Sequence, residues 1–185
     1  DAVAQLKAMA PAVKVVGGDQ AVYEHIDLRI GAAYGTQDSY TGPFAGMSQQ
    51  AIDLRTAFLL AYPRQEIIDK IVKPINASSE LMNSLMVFNK EPSYKDIIAK
   101  SGVSKFTDGT QADRTAKALA LVKKYYPSAA AGSGSIKVKL LFGQPSNARR
   151  VAEAALLKAE EAKAGFDVDV TPTSGWSSYE IGRAH

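Results

Sequence analysis

The segment that decides the fold is residues 136–170, IKVKLLFGQPSNARRVAEAALLKAEEAKAGFDVDV. Alternating apolar residues predict a strand at each end of it: Ile136, Val138, Leu140 and Phe142 in the first, and Phe166, Val168 and Val170 in the second. Between them, residues 147–164 have helical composition, and Gly165 predicts the end of that helix. A connection of this length joins parallel strands through a right-handed crossover. The sequence therefore predicts an α/β domain.

Shorter elements are predicted upstream of this segment. Helices are expected over residues 3–9 and from Ser48, Pro63, Ser93 and Thr110, and strands over residues 13–16 and 22–30. Residues 57–62 are apolar on nearly all sides, which predicts a buried helix. The Pro63 helix should bury a stripe of four residues, Ile67, Ile68, Ile71 and Val72. Ser93 with Asp96 and Thr110 with Asp113 are typical of capping boxes. Residues 31–46 and 128–135 predict an irregular connection and a flexible surface loop.

Composition indicates a folded, water-soluble domain. The chain has 185 residues, of which 46% are hydrophobic and 22% are charged. The longest apolar stretch, residues 57–62, is far shorter than the ~20 residues of a membrane-spanning helix. There is no cysteine, which excludes disulfides, thiolate metal sites and cysteine nucleophiles. The start of the chain lacks a signal-peptide pattern, so we expect any export signal to lie outside these residues.

The distribution of charge argues against a nucleic-acid partner. The formal net charge is +3, and the basic residues form scattered pairs such as Lys123-Lys124 and Arg149-Arg150. Nucleic-acid-binding domains concentrate their basic residues in one stripe or patch. We therefore interpret these pairs as solvated surface.

The connection after the first strand of the deciding segment is the candidate binding site. A strand that runs through a short loop into a helix places backbone N–H groups and a positive dipole end together, which favours an anionic group. The residues predicted to contact a ligand there are Gly143, Gln144, Ser146, Asn147 and Arg149. The alternative is that they only start a helix, since no nucleotide-binding glycine pattern is present.

Neither a catalytic residue nor a metal site is predicted. His25 lies beside Tyr23 and Asp27 on the polar side of the second predicted strand, and the other histidine is His185. No metal-ligand or nucleophile motif accompanies it, which favours a surface role. Four tyrosines could stack on a ligand, although packing is the favoured interpretation: Tyr34, Tyr40, Tyr125 and Tyr126. No cofactor is expected.

Several longer stretches carry a family resemblance. They are KVVGGDQAVYEHIDLRI (14–30), GPF (42–44) with LRTAFLLAYPRQEII (54–68), TQADRTAKALALVKKYY (110–126), and LLFG (140–143) with RRVAE (149–153), AKAGFDVDV (162–170) and WSSY (176–179). Together and in this order they resemble the second lobe of the family 5 solute-binding proteins, which serve importers of peptides and nickel. Pro63 departs from the family pattern, which has an aspartate there.

The resemblance implies a fold and a function. The fold would be a type II periplasmic-binding-protein-like lobe, with a mixed sheet flanked by helices and a C-terminal strand-helix-strand unit. Residues 1–12 would be a remnant of the first lobe or of the hinge approach, and residues 13–185 a truncated second lobe. The function would be capture of a peptide or other small solute between two lobes, with the 143–147 loop and Arg149 facing the cleft. The partners would be the first lobe of the same protein and a membrane permease, and the full-length protein would be extracytoplasmic, as a periplasmic protein or a lipid-anchored lipoprotein.

Two alternatives from other classes remain at this point. One is a small α/β enzyme that uses residues 143–150 as an anion-binding loop. The other is a structural or interaction module with residues 31–46 as its contact surface. A deep pocket around His25 and Arg149 would favour the enzyme, and an exposed apolar patch would favour the interaction module.

Overall fold

The computed structural model of the protein describes residues 2–16, 24–31 and 40–174. The helices are α1 (Ala2–Ala8), α2 (Gln49–Ala61), α3 (Arg64–Ile67), α4 (Tyr94–Ser101), α5 (Gln111–Lys123) and α6 (Ala148–Lys163), and the strands are β1 (Ile136–Gly143) and β2 (Phe166–Thr173). A π-helical turn covers Ile68–Val72, and a 3₁₀ helix covers Val103–Phe106. Within these ranges no helix has the length and hydropathy needed to cross a bilayer.

The chain divides into two units. The small unit comprises Asp1–Ile26 and Arg64–Leu81, and the large unit comprises Asp27–Pro63 and Met82–His185. In the small unit, Lys7 Nζ of α1 donates to the carbonyl of Pro74 at 3.4 Å. The small unit contains α1, α3 and the π turn. The large unit contains the other helices and both strands, and so it includes the segment that decides the fold.

The strand-helix-strand prediction is confirmed. β1 and β2 pair in parallel, with Ile136 opposite Phe166 and Gly143 opposite Thr173. Asn147 is the N-cap of α6, and Gly165 after its end has a φ of 89°, a left-handed conformation that glycine adopts without steric cost. The described residues thus form a mixed α/β fold with a two-stranded parallel sheet. Within the described residues this is the sheet that is present, and its two strands are those of the predicted strand-helix-strand unit.

The core of the large unit forms around α2. Its residues Leu54, Ala57 and Ala61 are fully buried, as the apolar run predicts. The ring of Phe58 packs edge-to-face against Phe166 of β2 at 5.4 Å between centroids. It makes a second edge-to-face contact with Phe44, also at 5.4 Å. These contacts join α2 to the sheet and to the loop that precedes the helix.

The end of α2 is set by proline. Tyr62 has an extended backbone (φ −60°, ψ 118°) because the ring of the following Pro63 disfavours a helical conformation at the residue before it. In the small unit, α3 begins directly after Pro63, as predicted. Its predicted buried stripe is wrong except at Ile67, because Ile68, Ile71 and Val72 lie in the π turn and are half-exposed. The extra residue of a π turn shifts the following side chains away from the helical face.

The two predicted capping boxes have different outcomes. Thr110 accepts from the backbone N–H of Asp113, and Asp113 accepts from the backbone N–H of Thr110, which confirms the capping box of α5. Ser93 precedes α4, but its backbone is itself helical (φ −78°, ψ −11°) and its side chain makes no cap bond. A capping side chain reaches the N3 amide from an extended N-cap backbone, so that prediction is wrong for Ser93.

The predicted strands before α2 are wrong where they are described. Residues 13–16 and 24–30 have no regular secondary structure, and residues 22 and 23 lie outside the described ranges. Alternating side chains form a strand only where a neighbour satisfies the backbone N–H and C=O groups. No described strand pairs with these residues.

The loop of residues 128–135 lies at the surface, as predicted, since residues 128 and 130–133 are exposed, but several contacts anchor it. Ala129 is buried, and the N–H of Gly132 donates to the carbonyl of Ala162 at 2.8 Å. Ser133 closes the turn by accepting from the N–H of Ala130. These bonds hold the loop on the end of α6.

We expect Phe58→Ala to destabilise the large unit by about 3–5 kcal/mol, the usual cost of removing a buried aromatic ring. Phe88→Ala is the matched control, because Phe88 is 42% exposed. It should cost about 0.5 kcal/mol or less. Urea unfolding followed by circular dichroism measures both, and equal losses would contradict the central position of Phe58.

Candidate functional site

The predicted ligand-contact residues lie together in the connection between β1 and α6. Gly143 ends the strand and is buried, whereas Gln144 and Ser146 are exposed. Gln144 has a φ of 60°, in the left-handed region that few residues other than glycine adopt. Its carbonyl accepts from the N–H of Asn147 at 2.8 Å, which closes the turn into the helix. The geometry is that of a strand running through a tight turn into a helix start.

The side chain of Asn147 already bonds the N–H groups at the start of α6, where an anion would bind. Its Oδ1 accepts from the N–H of Arg149 at 3.1 Å and from the N–H of Arg150 at 3.3 Å. Its Nδ2 donates to Gln144 Oε1 at 3.2 Å. An anion that used the same two N–H groups would have to displace this side chain.

Both arginines after the loop already have partners. Arg149 NH1 lies 2.9 Å from Glu153 Oε1, one helical turn along α6. Arg150 NH1 donates to the carbonyl of Gly143 at 3.1 Å. A carboxylate ligand would therefore compete with Glu153 for Arg149. The loop can accept an anionic group only with a local rearrangement of these contacts.

A cavity of about 460 Å³ lies in the large unit near the opposite end of β1. Its walls come from the turn before α2, the start of α2, the end of α5 and the first residues of β1. The lining residues are Thr41, Gly42, Pro43, Ala45, Ser48, Gln50, Ala51, Tyr126, Ser135, Ile136 and Lys137. Sequence reasoning did not identify this site, because its residues come from four separate parts of the chain.

The turn that forms one wall of the cavity is fixed by a close contact and by an arginine. A Cβ atom at Gly42 would lie 2.3 Å from Cε2 of Tyr40, so only glycine fits there without a shift. Arg55 of α2 donates to the carbonyls of Phe44 and Gly46 at 2.6 and 2.7 Å. The Gly42-Pro43 pair, a dipeptide typical of turns, marks this wall in the sequence.

A hydrogen-bonded cluster joins α2 to the end of α5. The Asp53 carboxylate accepts from Gln49 at 2.8 Å and from the hydroxyl of Tyr125 at 2.9 Å. Lys124 Nζ lies 3.4 Å from the same carboxylate. These bonds lower the pKa of Asp53, and the hydrogen bond from Gln49 has the largest effect. Tyr125 therefore packs in a structural contact, as the packing interpretation expects.

Two neighbouring glutamates near the end of α6 are buried. Glu160 accepts from the hydroxyl of Thr115 at 2.7 Å and from Lys163 Nζ at 2.5 Å. Glu161 is fully buried, and neither carboxyl oxygen has a hydrogen-bond partner among the residues that the structure describes. Burial, and secondly the charge of Glu160, raises the pKa of Glu161 well above its usual range. A protonated Glu161 is the form that the folded state favours.

Neither His25 nor Tyr40 is among the residues that line the cavity. His25 is exposed and belongs to the small unit, whereas Arg149 belongs to the large unit. The ring of Tyr40 packs under the guanidinium of Arg29 at 5.3 Å. Tyr23, Tyr34 and residues 32–39 of the predicted contact loop lie outside the described residues. Across the described ranges, no group of acidic and histidine side chains could hold a metal ion.

Comparison of the chain with known protein families, curated proteins and solved structures returns no match.

We expect Asn147→Ala to destabilise the large unit by about 1 kcal/mol, because two N–H groups of α6 lose their acceptor. Asn147→Asp is the control, since aspartate also caps helices and its charge suits the helix start. It should leave the thermal midpoint nearly unchanged. If both variants unfold at the same temperature as the parent protein, the capping role is wrong.

Glu161 should make stability fall as pH rises. Its folded-state pKa is raised, so the folded protein binds a proton more tightly than the unfolded chain does. Stability is then full below the unfolded pKa and is lost at up to about 1.4 kcal/mol per pH unit between the unfolded and folded pKa values.

The isosteric variant Glu161→Gln cannot ionise and should lose this dependence. The stability difference between the variant and the parent should therefore increase from pH 5 to pH 8 in urea unfolding. Asp167→Asn, at an exposed position of β2, is the control and should run parallel to the parent. Parallel curves for Glu161→Gln as well would show that the Glu161 carboxyl does not titrate differently in the two states.

Proposed function

We propose that this chain forms one lobe of an extracytoplasmic solute-binding protein that delivers peptides or similar small solutes to an ATP-driven importer. The proposal begins from residues 54–68 and 140–170, where the sequence most resembles family 5 solute-binding proteins. The first stretch covers most of α2, Pro63 and α3. Within the second, the resembling residues 140–143, 149–153 and 162–170 lie in the last half of β1, the first turns of α6, and the end of α6 with the start of β2.

The observation that carries the proposal is the position of the 143–149 loop at the carboxyl end of β1. Open α/β sheets bind ligands outside the carboxyl ends of their parallel strands. At this end lie a glycine, a glutamine, a serine hydroxyl and the start of α6, with Arg149 one residue into the helix. These groups suit the carboxylate and amide groups of a short peptide.

The present contacts of the loop explain how binding would depend on a second lobe. Asn147 already accepts a hydrogen bond from an N–H group at the start of α6, and Glu153 already pairs with Arg149. A ligand therefore gains little by replacing them from one side. In two-lobe proteins, closure adds contacts from the opposite wall and excludes water. We propose that this wall is the first lobe of the same protein, and that a membrane permease receives the solute.

Peptide titration of the ¹⁵N-labelled chain tests this function. We expect trialanine to cause saturable shifts in amides of residues 143–150, with a dissociation constant on the order of millimolar. Glu153→Gln should tighten binding a few-fold because it removes the carboxylate that competes for Arg149. Arg149→Gln should weaken it, and Arg64→Gln, in the small unit, should leave it unchanged.

Three results would contradict the proposal. Micromolar or tighter binding by this chain alone would show that it contains a complete site. No saturable shift at the highest soluble peptide concentration would show that the loop does not bind peptides. Loss of the peptide with appearance of cleaved products would favour the enzyme alternative.

A further inference from the structure

The cavity at the amino end of β1 has the size of a small-molecule site. Its volume of about 460 Å³ falls within the usual range of roughly 300–1,000 Å³ for ligand pockets. It is open to solvent, and it lies about 20 Å along β1 from the 143–149 loop, at ~3.3 Å per residue. A molecule in this cavity would therefore not contact the residues assigned to peptide binding.

The charge of the lining favours an anion. Among the described residues that form the walls, Lys137 carries the one formal charge, and no aspartate or glutamate is present. The neighbouring Lys124 pairs with Asp53 in the cluster that joins α2 to α5. Lys137, whose partner in the register of β2 is Asp167, is thus the cation of the lining. An ammonium group binds carboxylates through charge-assisted hydrogen bonds.

The polar groups of the lining favour a hydroxylated molecule. Hydroxyl or amide side chains are supplied by Thr41, Ser48, Gln50, Tyr126 and Ser135. Such groups both donate and accept hydrogen bonds, which matches the hydroxyl groups of a ligand. Ser48 accepts from the N–H of Ala51 at 3.2 Å, and its own O–H remains able to donate. The aliphatic part of the wall comes from Pro43, Ala45, Ala51 and Ile136.

The walls of the cavity are held in place by contacts that do not involve a ligand. Arg55 fixes the 42–46 turn on α2 through two carbonyls. Asp53 and Tyr125 fix α2 against the end of α5. Pairing of Ile136 with Phe166 fixes the start of β1. A site supported in this way loses little conformational freedom when it binds.

We propose that this cavity binds a small hydroxylated carboxylate, with Lys137 as its counter-charge. The site and its ligand class are separate from the peptide-binding function proposed above. Because the cavity is open, the affinity should be modest, with a dissociation constant on the order of millimolar or somewhat below.

Gluconate and sorbitol are matched probes for this site, since they have the same carbon number and differ at the carboxylate. Titration of the ¹⁵N-labelled chain with gluconate should shift amides in residues 41–51, 126 and 135–137. Sorbitol should bind about tenfold more weakly, a difference that corresponds to one charge-assisted contact. Sodium chloride at equal ionic strength controls for a general salt effect.

Lys137→Gln should lower gluconate affinity to about that of sorbitol, a loss of about tenfold. Lys139→Gln is the matched control, because Lys139 lies two residues further along the same strand and does not line the cavity. Thermal unfolding of each variant checks that it is folded. If Lys137→Gln does not fold, the comparison of gluconate with sorbitol on the parent protein still tests the charge preference.

Equal binding of gluconate and sorbitol would overturn the proposal, as would equal losses in the two lysine variants. So would shifts that sodium chloride reproduces, shifts confined to residues 143–150, or no saturable shift. Failure of trialanine binding with retention of gluconate binding would affect only the peptide-binding proposal. The two proposals therefore fail separately.

Discussion

The packing of α2 against α5, α6 and β2 is the interaction on which the large unit depends. Phe58 lies between Phe44 and Phe166 in two edge-to-face contacts, so one ring connects the helix, the sheet and the preceding loop. A two-stranded sheet has little stability without a packed face, and α2 and α6 supply that face here. The same helix carries Ser48 and Ala51 in the cavity wall and Arg55 on the turn beside it. The hydrophobic core and the cavity are therefore built on one rigid element.

A small network satisfies most polar groups inside this packing. Among the described residues there, Arg114 Nε and both carboxyl oxygens of Glu161 are buried without a hydrogen-bond partner. Gln111 donates to the carbonyls of Leu60 and Ala61 at the end of α2, and to Thr115, which in turn donates to Glu160. The network links α2, α5 and α6. It also supplies donors to the last carbonyls of α2, which have no partners within that helix. Glu161 lies one residue further and has no such partner. Because a buried carboxylate without hydrogen bonds is costly, the proton on Glu161 is part of the folded structure.

The sequence predicted the elements whose signals are local. The period of the apolar residues in 136–170, the glycine at 165 and the Thr110–Asp113 box each depend on neighbours within a few residues, and each is found as predicted. The predicted strand is wrong over residues 24–30, the part of it that is described, because alternation does not specify a partner strand. The connection between β1 and α6 lies where the sequence predicted it. The sequence did not predict that Asn147 would bond the N–H groups at the start of α6, or that Glu153 would pair with Arg149. The cavity could not be predicted, since residues 41–51, 126 and 135–137 meet only through tertiary packing.

The two ends of β1 differ in what they offer a ligand, and the difference has a physical cause. At the carboxyl end the chain turns at once into α6, so the loop is short and its donors lie within reach of Asn147 on the same turn. At the amino end the chain arrives from the 128–135 loop, and the neighbouring walls come from α2, the turn before it and Tyr126 after α5. Contacts between separate elements, such as that of Tyr125 with Asp53, hold these walls apart from one another, and the cavity lies between them. The polar groups around Lys137 therefore line an open cavity, whereas those around Arg149 already have partners on the same turn and helix.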